Sequence, residues 1–265
     1  MDGTLQGKVI SVNGPIVKAV GLSGIRMFDI AEVGPDRLIG EVIRLAEEMA
    51  IIQVYEDNTG LKPGDDVISY GRPLSVLLGP GLIASIYDGI QRPLVGISEV
   101  CGSYIKKGIK LSSLDTAKRW DFQPLIESGA QVREGSILGE VRESPLVLHR
   151  VLVPPGVSGR LTHIVAVGSY TIDDPLYAID TGGGLYEGKL AAFWPVRKPR
   201  PSKRRKKPFI PLITGQRVID TFFPIARGGT AAIPGGFGTG KTMTQHALAK
   251  WCNADIIVYI GCGER

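Results

Sequence analysis

The stretch Gly235-Gly236-Phe237-Gly238-Thr239-Gly240-Lys241-Thr242 has the G-x-x-x-x-G-K-[ST] spacing of a phosphate cradle. Glycines reach backbone angles that turn successive N–H groups toward one anion. Lys241 then brings a mobile cation to the β- and γ-phosphates of a nucleotide such as ATP or ADP, and Thr242 a hydroxyl to its Mg²⁺. A helix opening at Lys241 would turn its positive end to the same anion. Glu264, just after the apolar run 256–260, is the second candidate. A carboxylate at the carboxyl end of a parallel strand can orient or deprotonate a water beside a γ-phosphate. From spacing alone Glu264 reads equally well as an ordinary charged strand end. Arg265 is either a phosphate contact or solvated.

A phosphate loop works only between a strand and a helix, and the flanking sequence has that form. "GGTAAIPG" reads as a short buried strand, "KTMTQHALAKW" as a helix, and "ADIIVYIGCG" as a second apolar strand. Together they predict a βαβ unit with a parallel sheet, in which Met243, Ala247, Leu248 and Trp251 form the buried helix face. Upstream, residues 1–75 are short apolar stretches separated by turns. Strands are predicted at 40–45, 50–55 and 67–69, with Val9, Val12, Ile16, Val17 and Val20 arranged around an "NGP" turn. This spacing points to a small all-β barrel or sandwich. Residues 76–110 read as a connector, in which Leu82, Ile86 and Ile90 predict a short amphipathic helix between "GPG" and "QRP". Residues 111–185 return to glycine-punctuated β character, 186–207 form a basic, Pro-rich linker, and 208–265 begin the nucleotide-binding domain. The fold class is therefore multidomain: an all-β barrel, a β-rich second module, and a truncated α/β P-loop domain.

Of the 265 residues, 43% are hydrophobic, enough for buried cores, and no run of eighteen apolar residues suggests a membrane span. The first residues, "MDGTLQGKVIS", lack a signal peptide's pattern, so a cytoplasmic location is expected. Cys101, Cys252 and Cys262 are too few and too irregular for a zinc site or disulfide framework, and His149 and His163 read as structural. The net charge of +5 is local: Arg197, Lys198, Arg200, Lys203, Arg204, Arg205, Lys206 and Lys207 contribute eight positive charges within eleven residues, and subtracting them leaves −3. Set among Pro199, Pro201 and Pro208, this run reads as an exposed linker, with binding of a polyanion the other reading.

Longer stretches extend the argument. "TGQRVIDTFFPIARGGTAAIPGGFGTGKT" and "NADIIVYIGCGER", with "GPGLIASIYDGIQRPL", "GIRMFDIAEVG" and "FWPVRKPRP" upstream, resemble the catalytic A subunits of the archaeal and vacuolar-type rotary ATPases across essentially the whole chain. The resemblance implies a β-barrel, the bulge insertion of A subunits in the second module, a RecA-like nucleotide domain, and ATP synthesis or hydrolysis coupled to proton or sodium transport. It implies roles for Lys241 and Thr242 on phosphate and Mg²⁺, for Glu264 on the hydrolytic water, and for Arg265 beside it. Its partners would be B subunits in an alternating A₃B₃ ring, with central-stalk and peripheral-stalk subunits. Membrane contact would come only through the complex, at the cytoplasmic face, and no nucleic acid is expected. The chain corresponds to the N-terminal half of a family member and is expected to be inactive alone. Two departures stand out: Gly236 replaces the family's usual proline, and Thr239 its usual serine or cysteine. The competing readings are a non-catalytic nucleotide-binding or assembly module and, more distantly, a RecA-like nucleic-acid motor.

Overall fold

Alternating apolar residues with a turn every few positions can bury a whole face and leave no open edge by closing into a barrel. In the computed structural model, which describes residues 4–202, 204 and 206–263, strands β1 (Leu5–Asn13), β2 (Ile16–Val20), β3 (Asp29–Val33), β4 (Leu38–Ala46), β5 (Met49–Val54) and β6 (Asp66–Pro73) form a closed barrel in the order β1-β2-β5-β4-β3-β6. All ladders are antiparallel; β1 meets β6 with Leu5 opposite Ser69. Alternate residues fill the interior, among them Val9, Val17, Ala31, Leu38, Val42, Ile52 and Val67. The "NGP" turn holds Gly14 at φ 56° between β1 and β2, where glycine carries no Cβ penalty. The strands expected at 40–45, 50–55 and 67–69 are present; the first and last are longer, and the middle one lies one residue earlier.

The chain divides into two units, Met1–Arg200 and Pro201–Arg265. In the first, β7 (Ser75–Leu78) leaves the barrel for the connector. The helix expected around Leu82, Ile86 and Ile90 does not form there. Asp88 instead accepts the backbone N–H groups of Ile90 and Arg92 through Oδ1 and the Arg92 Nε through Oδ2 (3.1, 2.8 and 2.6 Å). Ala84 and Gln91 take positive φ. A side chain that bonds nearby backbone donors offers a turn in place of a helix. The helix, α1, lies later, at Leu94–Cys101.

Beyond α1, strands β8 (Trp120–Pro124), β9 (Gln131–Val132), β10 (Ile137–Arg142), β11 (Leu148–Leu152), β12 (Gly159–Ile164), β13 (Gly168–Tyr170), β14 (Pro175–Asp180) and β15 (Leu185–Lys189) build two four-stranded sheets, β11-β10-β8-β13 and β15-β14-β12-β9. Phe122, Leu138, Val141, Leu161, Leu176 and Ile179 are buried in their shared core. At Gly139 a Cβ would lie 2.3 Å from the Phe122 ring, so this strand position needs glycine for close approach. The last strand of the unit, β16 (Ala192–Pro195), pairs with β7.

The expected linker therefore starts later than residue 186, because 186–189 and 192–195 are strand. Part of its basic run is also docked. Arg197 makes a bidentate pair with Glu41, which is 1% exposed and also accepts the Tyr55 hydroxyl at 2.8 Å. Lys198 bonds Glu134 at 2.7 Å, and Arg200 lies over the Trp194 ring at 4.3 Å. Arg204, Lys206 and Lys207 are exposed; Lys203 and Arg205 lie outside the described residues.

In the second unit, β17 (Pro211–Leu212) pairs antiparallel with β18 (Ile225–Ala226), α2 covers Arg217–Phe222, and α3 covers Lys241–Trp251. The expected βαβ unit is realised only in its helix. Neither the "GGTAAIPG" segment nor the 256–260 run is in a strand, and no parallel ladder occurs among the described residues. A strand exists only as half of a ladder, and neighbours in a parallel sheet need not be neighbours in sequence. With no sheet beneath it, α3 does not bury the face predicted for it: Ala247 and Leu248 are half-covered, while Met243 and Trp251 are exposed.

Candidate functional site

The loop residues precede α3 directly, and two of its glycines are conformationally required. Gly238 has φ 75° and Gly240, the N-cap of α3, φ 82° and ψ 14°. A residue with a Cβ pays about 1–2 kcal/mol in this left-handed region. Gly235 faces a different constraint, since a Cβ there would lie 2.5 Å from the Thr239 hydroxyl. Gly236 has neither: its φ is not left-handed and a Cβ would meet nothing within 4 Å.

Polar contacts within the loop converge on its carbonyls. Lys241 Nζ bonds the carbonyl oxygens of Gly235 and of Gly236, the latter at 2.8 Å. Thr239 Oγ1 donates to the same Gly236 oxygen at 2.9 Å. The lysine thus lies over the loop that would hold phosphate, an ammonium with three donors on a flexible stem. Phe237 and Thr242 are exposed.

The opening of α3 fits an anion. Most helices cover their first N–H groups with a Ser, Thr, Asp or Asn side chain or place an acid in the first turn. The N-cap Gly240 makes no side-chain cap bond, and the first turn carries no acidic residue. Among the described residues, no side-chain cap and no first-turn acid occupies these donors. Glycine conformation, helix start and lysine together suit a phosphate group. The hydroxyl of Thr242, the second helical residue, is of the hard-oxygen type that Mg²⁺ takes. Glu264 and Arg265 lie outside the described residues.

Further contacts, which residue spacing did not reveal, hold the surrounding segments. Asp220 on α2 accepts the Thr214 N–H (2.9 Å) and hydroxyl (2.8 Å) and the Gly215 N–H (3.1 Å). These donors, those of Thr214 first, hold its carboxyl below the usual range. Asn253 and Ile213 exchange two bonds, of 3.1 and 2.9 Å, tying the end of α3 to the segment before α2. His246 Nε2 lies 3.3 Å from the Tyr259 hydroxyl, with the rings edge to face at 5.4 Å. A Thr-Gly pair with an aspartate six residues after the threonine signals the first contact in sequence; the other two have no local signal.

Three domain families describe the same chain. Residues 9–71 match the beta-barrel domain of the ATP synthase alpha/beta family, residues 111–197 the family's barrel-sandwich domain, and residues 215–265 its nucleotide-binding domain. A closed barrel, a two-sheet module and a glycine loop opening a helix follow in that order, and the chain belongs to the ATP synthase alpha/beta family. Within it, the chain is similar to the A subunits of A-type and V-type enzymes. It is 52% identical over 266 residues to the A subunit of the A-type ATP synthase of Methanopyrus kandleri, covering 100% of this chain and 45% of that protein. It is 50% identical over 262 residues to the V-type ATP synthase alpha chain 2 of Clostridium tetani, covering 99% and 44%. With the corresponding A-type protein of Saccharolobus solfataricus the identity is 52% over 260 residues, covering 98% and 44%. The chain thus spans less than half the length of these relatives. No helix among the described residues is long and apolar enough to cross a membrane.

Proposed function

We propose that this chain forms the N-terminal part of the catalytic A subunit of a rotary ATP synthase or ATPase, in which ATP synthesis or hydrolysis is coupled to proton or sodium transport. The observation that carries the reading is the uncapped start of α3 behind a loop whose Gly238 and Gly240 are left-handed and whose Lys241 lies on the loop carbonyls. Identity of about half along the whole chain to A-type and V-type relatives supports it.

The residues act by positioning and charge. Loop N–H groups and the α3 dipole hold the phosphates of ATP or ADP. Lys241 exchanges its carbonyl partners for β- and γ-phosphate oxygens, and Thr242 would hold Mg²⁺, whose charge would offset that developing on the transferred group. Glu264 accepts a proton from the water whose oxygen bonds the γ-phosphorus as the bond to the ADP oxygen breaks, and Arg265 steadies the same phosphoryl group. In this reading 1–75 is the barrel, 76–110 the connector, the bulge and its closing strands run from 111 to 195, the linker follows them, and 208–265 is the start of the nucleotide domain. Three copies of the complete protein alternate with B subunits in an A₃B₃ ring at the cytoplasmic face, joined to central and peripheral stalks.

The test is ATP turnover by the full-length protein in its complex. Lys241→Ala should lower kcat at least about a hundredfold, the scale of losing one preorganised charge contact. Thr242→Ala should raise the Mg²⁺ concentration needed. Unchanged turnover in Lys241→Ala refutes the assignment.

A further inference from the structure

A cavity of about 310 Å³ lies within the first unit, at the lower end of the size range of small-molecule sites. Residues of β3, β4, β6, β7, β16 and the connector surround it, and Ile39, Leu77, Ile90, Ile109 and Phe193 supply apolar wall.

Most polar side chains of the lining are already engaged. The Gln91 amide accepts the Leu77 N–H and donates to the Leu77 carbonyl, both at 2.7 Å. The hydroxyls of Ser75 and Ser112 donate to the carbonyls of Pro73 (2.8 Å) and Leu114 (2.7 Å). Glu32, the lining carboxylate, is paired with Lys110 at 2.5 Å and with Arg37 at 3.5 Å. Arg92 is held by Glu56 and Asp88, each at 2.6 Å.

Arg72 differs. Among the described residues its guanidinium meets no carboxylate; it lies 5.0 Å from the centre of the Phe193 ring and 5.8 Å from that of Tyr70. Aromatic faces attract a guanidinium without occupying its N–H donors. The fork is thus held at the cavity with its donors open, and two parallel N–H groups match the two oxygens of a carboxylate. A bare inorganic anion would leave the apolar wall unused, and an uncharged apolar molecule would leave the fork unused.

We propose that this cavity binds a small carboxylic acid with an aryl or medium-chain alkyl body. The carboxylate pairs with Arg72, and the body lies against Phe193 and the neighbouring isoleucines. The site is in a different unit from the phosphate loop and does not depend on what that loop binds.

Calorimetric titration of the full-length protein with 4-phenylbutyrate, and with 4-phenylbutanol as the same body without charge, tests the proposal. The acid should bind once per chain and at least about tenfold more tightly than the alcohol, the scale of one charge-assisted pair. Arg72→Gln should abolish that preference and leave the affinity for the alcohol within about twofold, since only the pairing with charge is lost. Arg72→Lys, a charge without the fork, should restore part of it. Phe193→Ala should weaken both ligands. Arg72 and Phe193 are exposed, so neither substitution opens a core. Saturating ADP with Mg²⁺ should leave the affinity for the acid unchanged. No saturable binding of the acid up to about 10 mM would overturn the proposal. So would a preference for the acid that survives Arg72→Gln, or competition by ADP, which would move the acid to the phosphate loop.

Discussion

His149 offers a sharp electrostatic test of the first unit. It sits on β11 opposite Val141, in a pocket of about 10 Å³ also lined by Leu78, Leu190, Trp194, Arg150, Lys189 and Arg200. Three cations and no carboxylate line that pocket, whose volume is at the lower limit for a single water. Burial, then the Arg200 charge, lowers the imidazole pKa from 6.5 to about 4. Above pH 6.5 the ring is neutral in folded and unfolded chains alike and contributes no pH dependence. As pH falls through 6.5 the unfolded chain takes up a proton that the folded one refuses, so stability declines until pH 4 and then levels off. At pH 5 the two pKa values correspond to a loss of about 2 kcal/mol, tending to about 3 kcal/mol below pH 4. Carboxylates also titrate in this range, so the assay must be a difference. Urea unfolding of unaltered protein and of His149→Gln, compared at pH 7.5 and 5.0, should show the variant gaining about 2 kcal/mol relative to the unaltered protein. Parallel stability curves would show that the ring is not held neutral, and the argument from burial would fail.

The buried Glu41 gives a second test: Arg197→Ala leaves its carboxylate without a counter-ion and should cost about 2–3 kcal/mol in chemical unfolding, less than a fully enclosed pair because the guanidinium is half-exposed. Removing the exposed Lys8–Asp66 bridge with Lys8→Ala should leave the unfolding midpoint unchanged in the same assay, because an exposed ion pair contributes little net stability. In the loop, Gly240→Ala should weaken ADP binding by about tenfold, since the left-handed residue costs about 1–2 kcal/mol, whereas Gly236→Ala should change affinity by less than about twofold. Gly139→Ala, forced against the Phe122 ring and the Gln123 carbonyl, should destabilise the two-sheet module by about 1–3 kcal/mol, read as a lower unfolding midpoint.

What could be read from residues alone follows from how local each interaction is. The phosphate loop and its helix depend on glycine conformation and a helix start, all within a short stretch of chain, and α3 begins at the loop lysine. The barrel strands were legible for a similar reason, because antiparallel neighbours such as β1 and β2 are joined by a turn that leaves its own mark. The connector misled because Leu82, Ile86 and Ile90 have helical spacing, while a single aspartate, Asp88, claims the donors that would decide the matter. The basic run was legible as charge but not as structure. Nothing near Arg197 in sequence points to Glu41, 156 positions away, and pairing there converts an expected exposed linker residue into part of the first unit.

The nucleotide unit marks the other limit. Its two expected strands have strongly apolar sequences, yet neither has a ladder among the described residues. Apolar character sets which face of a segment seeks burial; a parallel ladder needs partners that chain order does not supply. If the ladder partners lie in the additional length that the relatives possess, the longer chain should protect the 256–260 amides from hydrogen exchange by orders of magnitude more than residues 4–263 alone. Equal protection in the two would mean that the run is held by α3 and its side chains, with no sheet required.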